Sequence, residues 1–196
     1  SHMQQEVLNE PVECLRGIHD DEEIGVMQVA EGDAHEFLGV KLDHSKEGKL
    51  TVDMREHACG MVEDFEKKHE SIKSAKTPAA DHSFKVNKNC SKLNKEKHED
   101  LHACAAKASF VCERSRPDVQ TPVAFSTTRV KEPDEDDWKK LVCVVTHFKH
   151  TKDSVLTLEA DNMNAIEWFT DGSCAVHNDV KGHTGAGMTM GKGSIY

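Results

Sequence analysis

Residues 133–160 read PDEDDWKKLVCVVTHFKHTKDSVLTLEA, and a change of period inside this stretch decides the fold class. Pro133 followed by Asp134, Glu135, Asp136 and Asp137 is a helix-start signal, because Pro fits a first turn and acids there face the positive end of the helix dipole. Trp138, Leu141, Val142, Val145 and Phe148 then recur at helical intervals, as the buried stripe of an amphipathic helix does. Lys149, His150 and Lys152 follow where cations are favoured. From Val155 the period falls to two: Val155, Thr157 and Glu159 alternate with Leu156, Leu158 and Ala160. A helix giving way to strands predicts an α+β chain.

Upstream, Gly25 to Val52 contains three short extended pieces: Val26 to Ala30, Glu36 to Asp43 and Lys49 to Val52. The last two flank His44-Ser45-Lys46-Glu47-Gly48, a polar link ending in Gly that suits an antiparallel β-hairpin entered through Phe37-Leu38-Gly39. Met54, Ala58, Met61, Val62 and Phe65 recur at helical spacing to about Lys68. Residues 69–92 are rich in Lys, Ser and Asn, contain Thr77-Pro78 and show no period, so this connection must either wrap a surface or move. A second helix is expected from about Asn94 to Cys112, with Leu101, Cys104, Ala105, Ala108, Val111 and Cys112 as its stripe. Arg116-Pro117-Asp118 ends it, because Pro disfavours the helical state of the residue before it. Val119 to Val130 gives a third, shorter helix.

Downstream, the apolar run Ala165 to Phe169 leads into Thr170-Asp171-Gly172-Ser173, which by itself reads as an Asp-Gly turn capped by Ser173. Asp179 and Lys181 read as a solvated turn. Gly182 to Gly193 holds five Gly around Met188, Thr189 and Met190, as strands with tight turns would.

Composition removes several classes of function. A formal net charge of −10 argues against an independent nucleic-acid binder, which displaces phosphate counterions with a basic surface. One Tyr and two Trp leave few faces on which bases could stack. Seven Cys, odd in number and without a CxxC pair, fit a reduced intracellular chain. No apolar run is long enough to span a bilayer, and Ser1-His2-Met3 reads as the scar of a removed tag. His57-Ala58-Cys59 and His102-Ala103-Cys104 do not make a zinc site, since an i, i+2 pair on a helix points to different faces and no second pair completes four ligands. The Gly-rich segment is no phosphate loop, because no Gly-Lys-Ser/Thr precedes a helix. Cys112 and Cys143 lack the His and Asn partners of a nucleophile and read as core thiols.

The order of these features resembles copia-type retrotransposon Pol polyproteins over about residues 25–196. Phe37-Leu38-Gly39-Val40 with its hairpin, a helix closing at Glu63-Asp64-Phe65, and Thr77-Pro78 resemble the segment after the polymerase active site. Ser115-Arg116-Pro117-Asp118-Val119 resembles that family's Thr-Arg-Pro-Asp-Ile. Pro133, Trp138 and Val145-Thr146-His147-Phe148-Lys149-His150-Thr151 fall where the family has the helix ending Arg-Tyr-Leu-Lys-Gly-Thr. Thr170-Asp171-Gly172-Ser173 and His183-Thr184-Gly185 resemble the opening of its ribonuclease H domain. His147 and His150 depart from the pattern, replacing an Arg and a Gly, and the family's Tyr before the thumb helix falls at Leu101 or His102.

The resemblance implies the C-terminal part of a reverse transcriptase and the start of a ribonuclease H. The divisions would be a tag scar and N-terminal segment (1–24), a palm-edge hairpin with the first thumb helix (25–75), a connection (76–92), a helical thumb-like bundle (93–152) and an incomplete ribonuclease H-like sheet (153–196). Phe37, Leu38 and Gly39 would be the primer grip, Arg116, Pro117 and Asp118 a structural motif, and Asp171 a catalytic carboxylate holding Mg²⁺ of a two-metal hydrolysis. No Tyr-Val-Asp-Asp occurs, and the family's later Thr-Glu-Ala-Glu would lie beyond Tyr196. The expected partner is primer-template or RNA–DNA hybrid in the parent, with weak nucleic-acid binding alone, no membrane, and room for a homo-oligomer. The implied location is a cytoplasmic virus-like particle or the nucleus. The rival expectation is a domesticated, non-catalytic protein-interaction module; a third is a metal-buffering His/Cys protein.

Overall fold

The computed structural model describes residues 5–20, 25–69, 73–80, 82–161, 165–174 and 182–194. The chain is α+β, with five α-helices, an antiparallel five-stranded sheet and a separate two-stranded ribbon among the described residues. Asp179, Lys181 and Tyr196 lie outside them.

A helix not anticipated, α1 (Gln5–His19), opens the described chain. Four more helices build the core: α2 (Arg55–Lys68), α3 (Lys95–Ser115), α4 (Gln120–Arg129) and α5 (Glu135–His150). The expected apolar stripe of α3 is buried throughout, from Leu101 to Cys112. The Asn94 side chain caps α3 by accepting from the Lys97 amide at 2.9 Å. Pro117 stops it, and a short 3₁₀ turn (Pro117–Val119) redirects the chain into α4.

The acids after Pro133 form a reciprocal cap at the start of α5. Asp134 accepts from the Asp136 and Asp137 amides, while the Asp137 carboxylate accepts from the Asp134 amide. Pro133 therefore precedes the cap instead of occupying the first turn. Trp138, Leu141, Val145 and Phe148 are buried as expected, but Val144 takes the core place assigned to Val142, which is only partly buried. The stripe is thus centred on the 141–145–148 line, with 144 beside it. With Met54, Met61, Val62, Phe65, Leu101, Ala108, Val111, Val119 and Val123, these side chains make one continuous cluster.

The connection expected either to wrap or to move runs along α5. Its described residues form no helix and no named strand. Ala75 N donates to Thr146 O at 3.2 Å, Cys143 Sγ lies 3.7 Å from Thr77 O, and Lys140 Nζ donates to Lys85 O at 2.5 Å. Leu93 N to Pro133 O and Glu135 N to Ser91 O close its far end over the α5 N-terminus. Backbone groups left without a ladder thus find partners on the helix they cross.

Strands β1 (Ala34–Phe37), β2 (Val40–Asp43) and β3 (Lys49–Asp53) form a meander, and β4 (Leu156–Ala160) and β7 (Gly191–Lys192) extend it in the order β1-β2-β3-β4-β7. The link 44–48 joins β2 to β3, as read from the sequence. Two details differ from the reading: residues 26–30 form no strand, and the piece Glu36–Asp43 is two strands broken at Leu38-Gly39. Leu50 faces Leu158, and Val52 faces Leu156. The part read as 153–196 therefore contributes two strands to the sheet that holds the hairpin of 25–75. The remaining strands, β5 (Glu167–Ser173) and β6 (His183–Thr189), pair with each other and, among the described residues, with no other strand, Asp171 standing opposite Gly185. No helix among the described residues is long and apolar enough to cross a membrane.

Candidate functional site

Phe37, Leu38 and Gly39 stand at the tip of the β1–β2 hairpin. Phe37 pairs with Val40, so the loop has only two residues, Leu38 and Gly39. Their φ values, 52° and 72°, both lie in the left-handed region, as a primed hairpin turn demands. Gly adopts this backbone freely, whereas Leu does so at a steric cost. The turn leaves Phe37 73% and Leu38 67% exposed, so two large apolar side chains project at one point. Single exposed apolar residues are ordinary; here two stand next to each other on one tight turn.

Helix α2 holds this tip. His57 Nε2 lies 3.1 Å from the Leu38 carbonyl oxygen, and a Cβ on Gly39 would sit 2.4 Å from that nitrogen. The His57 ring meets Phe110 of α3 edge-on at 5.3 Å, and the Arg114 guanidinium stacks on the other partner of that pair, 3.9 Å from the Phe110 centroid. Sequence reasoning treated His57 only as half of a failed zinc pair. No local signal ties it to a turn on another element.

Arg116, Pro117 and Asp118 form a lock instead of an open site. Arg116 is 3% exposed, and its Nε and Nη2 donate to the two Asp118 oxygens at 2.8 and 2.7 Å. Nη2 also donates to Thr151 Oγ1 at 2.7 Å, and the guanidinium lies 5.0 Å from the Phe148 ring centre. This fork ties the end of α3 to the end of α5. Burial would push the Asp118 carboxyl up, but the Arg116 bonds override it and hold the group below the usual carboxylate range. His147, one of the departures from the family pattern, is buried with Nδ1 3.2 Å from Ala75 O and Nε2 3.7 Å from an Asp118 oxygen. It joins the connection to the same lock.

Asp171 lies within β5 and is exposed, so the Asp-Gly-Ser segment is strand and not a capped turn. Its Oδ1 accepts from the Gly172 amide at 2.8 Å. Among the described residues no group of three or more His, Cys, Asp or Glu could hold a metal ion. Two Mg²⁺ ions need several converging carboxylates, so the described residues do not fit a two-metal centre. No step of hydrolysis follows from them.

Along α2, several of the described lysines are paired with acids. Lys41 pairs with Glu56, Lys67 and Lys107 with Asp64, Lys68 with Asp100, and Lys149 with Glu66. Cys104 and Cys112 are buried, and loss of solvation pushes both thiols up to about 12, which makes them poor nucleophiles.

Comparison with family models, curated proteins and solved structures gives no match. The geometry therefore carries the functional argument: an anchored apolar tip, a half-buried ionic lock, and a carboxylate that belongs to no metal-binding group among the described residues.

Proposed function

We propose that this chain is a segment of a copia-type retrotransposon reverse transcriptase and ribonuclease H, whose part is to grip primer and RNA–DNA hybrid and which is catalytically inactive alone. The observation that carries the reading is the exposed Phe37-Leu38 tip on a rigid two-residue turn, at the place where the family resemblance puts the primer grip. An apolar tip fixed in advance contacts sugar and base faces without first losing conformational freedom. The helices α2 to α5 are the thumb-like bundle in this reading, Arg116 and Asp118 its internal lock, and β5–β6 the opening of a ribonuclease H-like sheet, with Asp171 where the family resemblance puts a Mg²⁺-binding carboxylate of the parent enzyme.

The test is a titration of the purified chain with a labelled RNA–DNA hybrid bearing a recessed 3′ end, at several salt concentrations. The reading expects weak binding that falls with salt and weakens further in Phe37→Ala. It also expects no cleavage in Mg²⁺ or Mn²⁺. Cleavage abolished by Asp171→Asn would refute the inactive assignment. Failure to bind at any salt would instead favour a domesticated protein-interaction module, a reading supported by the net charge of −10 and by the paired lysines.

A further inference from the structure

We propose that His57 is the positioning residue of the hairpin tip, fixing the Phe37-Leu38 contact element against the helical bundle through a hydrogen bond to the Leu38 carbonyl. The nucleic-acid role of the tip rests on the reading above; the positioning role does not.

Three observations converge on His57. A carbonyl oxygen can only accept, so at 3.1 Å Nε2 must carry the proton and donate it to Leu38. Leu38 is the residue that needs holding, since its φ of 52° is one that Leu seldom adopts unless its surroundings impose it. Gly39 leaves room for the ring: with φ 72° and no side chain it lets Nε2 approach to a distance that any Cβ would block. The imidazole is braced in turn, because Phe110 meets it edge-on and Arg114 stacks on Phe110. The tip is thereby joined to α2 directly and to α3 through two rings. An unbraced two-residue turn would sample several conformations and lose order on binding; this one has that order in the free chain.

The experiment uses the full chain labelled with ¹⁵N, as wild type, His57→Ala, His57→Gln and Phe37→Ala. Amide exchange of Gly39 and Val40 is read against that of Val144 in the core, which reports whether each variant folds. Affinity for the recessed RNA–DNA hybrid is read in parallel. His57→Ala should speed exchange at the tip roughly threefold to tenfold, the equivalent of one lost hydrogen bond, while Val144 stays protected. Gln carries an amide N–H at a similar reach, so His57→Gln should restore protection; a merely space-filling role would not be rescued this way. Tip exchange unchanged in His57→Ala, or equally fast in His57→Gln, overturns the proposal. A tip loosened in His57→Ala and restored in His57→Gln, with hybrid affinity indifferent to both changes and to Phe37→Ala, upholds the positioning role and defeats the primer-grip reading.

Discussion

Replacing Arg116 with Met keeps most of the apolar stem and removes the fork, so it isolates the energy of the lock. Four donor bonds vanish, two to Asp118, one to Thr151 Oγ1 and a longer one, 3.4 Å, to the Thr151 carbonyl, together with the contact with Phe148. Breaking a fully buried ion pair costs about 3–5 kcal/mol because the orphaned charge stays dry. Here the Asp118 side chain is 51% exposed, so water can take over part of its solvation. The lower end of the range applies, about 3 kcal/mol. Urea unfolding at pH 7, followed by far-UV circular dichroism and tryptophan fluorescence, should show a midpoint lower by about 1.5 M for a slope of about 2 kcal/mol per M. Asp118→Asn alone should also destabilise, since it leaves a buried guanidinium facing a neutral group. The two substitutions should be coupled by about 1–3 kcal/mol in a double-mutant cycle. An Arg116→Met variant within about 0.5 kcal/mol of wild type, or additive behaviour of the pair, would refute the lock.

Three further outcomes are expected. Gly39→Ala should destabilise by at least about 1–2 kcal/mol, because φ 72° is strained for Ala and its Cβ would meet His57 Nε2; His57→Ala in the same chain should relieve the clash but not the strain, as thermal melts will show. Acid should act in two opposed ways. Burial raises the Asp137 carboxyl, so protonating it as pH falls through its raised value adds stability, whereas Asp118 is held low and its contribution, present above the ordinary carboxylate range, is lost as pH falls through its folded value. Melting temperature against pH should therefore lose the first slope in Asp137→Asn and the second in Arg116→Met. Finally, a thiol reagent at pH 8 should label exposed Cys14 and Cys174 in the folded chain and spare Cys104 and Cys112; mass spectrometry finding Cys104 or Cys112 modified before unfolding would contradict their burial.

How much of this was legible depended on whether the deciding force was local. The 133–160 stretch announced its helix and its strand because the cap acids and both periods lie within the segment. The stripe of α3 and its stop at Pro117 were legible for the same reason. The Leu38-Gly39 turn was not, since Leu at positive φ violates local preference and is imposed by pairing and by His57. Nor was the pairing of β3 with β4: Val52 and Leu156 meet across most of the helical bundle, and neither strand carries a mark of its partner. In the candidate site, Arg116 and Asp118 stood out as a motif. Their partners Thr151 and His147, on another helix end, became visible only in the fold. Asp171 was read in isolation as a turn residue, and the strand won because seven consecutive residues of β5 pair with β6.

The two exposed apolar features differ in what they imply. At the hairpin tip, exposure coexists with a backbone bonded on both sides and a histidine brace, so Phe37 and Leu38 are held outward by an otherwise complete structure. In the ribbon, Trp168 and Phe169 are successive residues and so point to opposite faces, yet both are well exposed. A two-stranded ribbon open on both faces buries too little to be stable by itself and ordinarily needs a covering layer. The proposed role of Asp171 thus depends on a layer that the described residues do not supply, while that of Phe37 and Leu38 depends only on contacts already made. Of the two proposed roles, gripping is accordingly the one to test in the isolated chain, and the tip is where its loss should be measured.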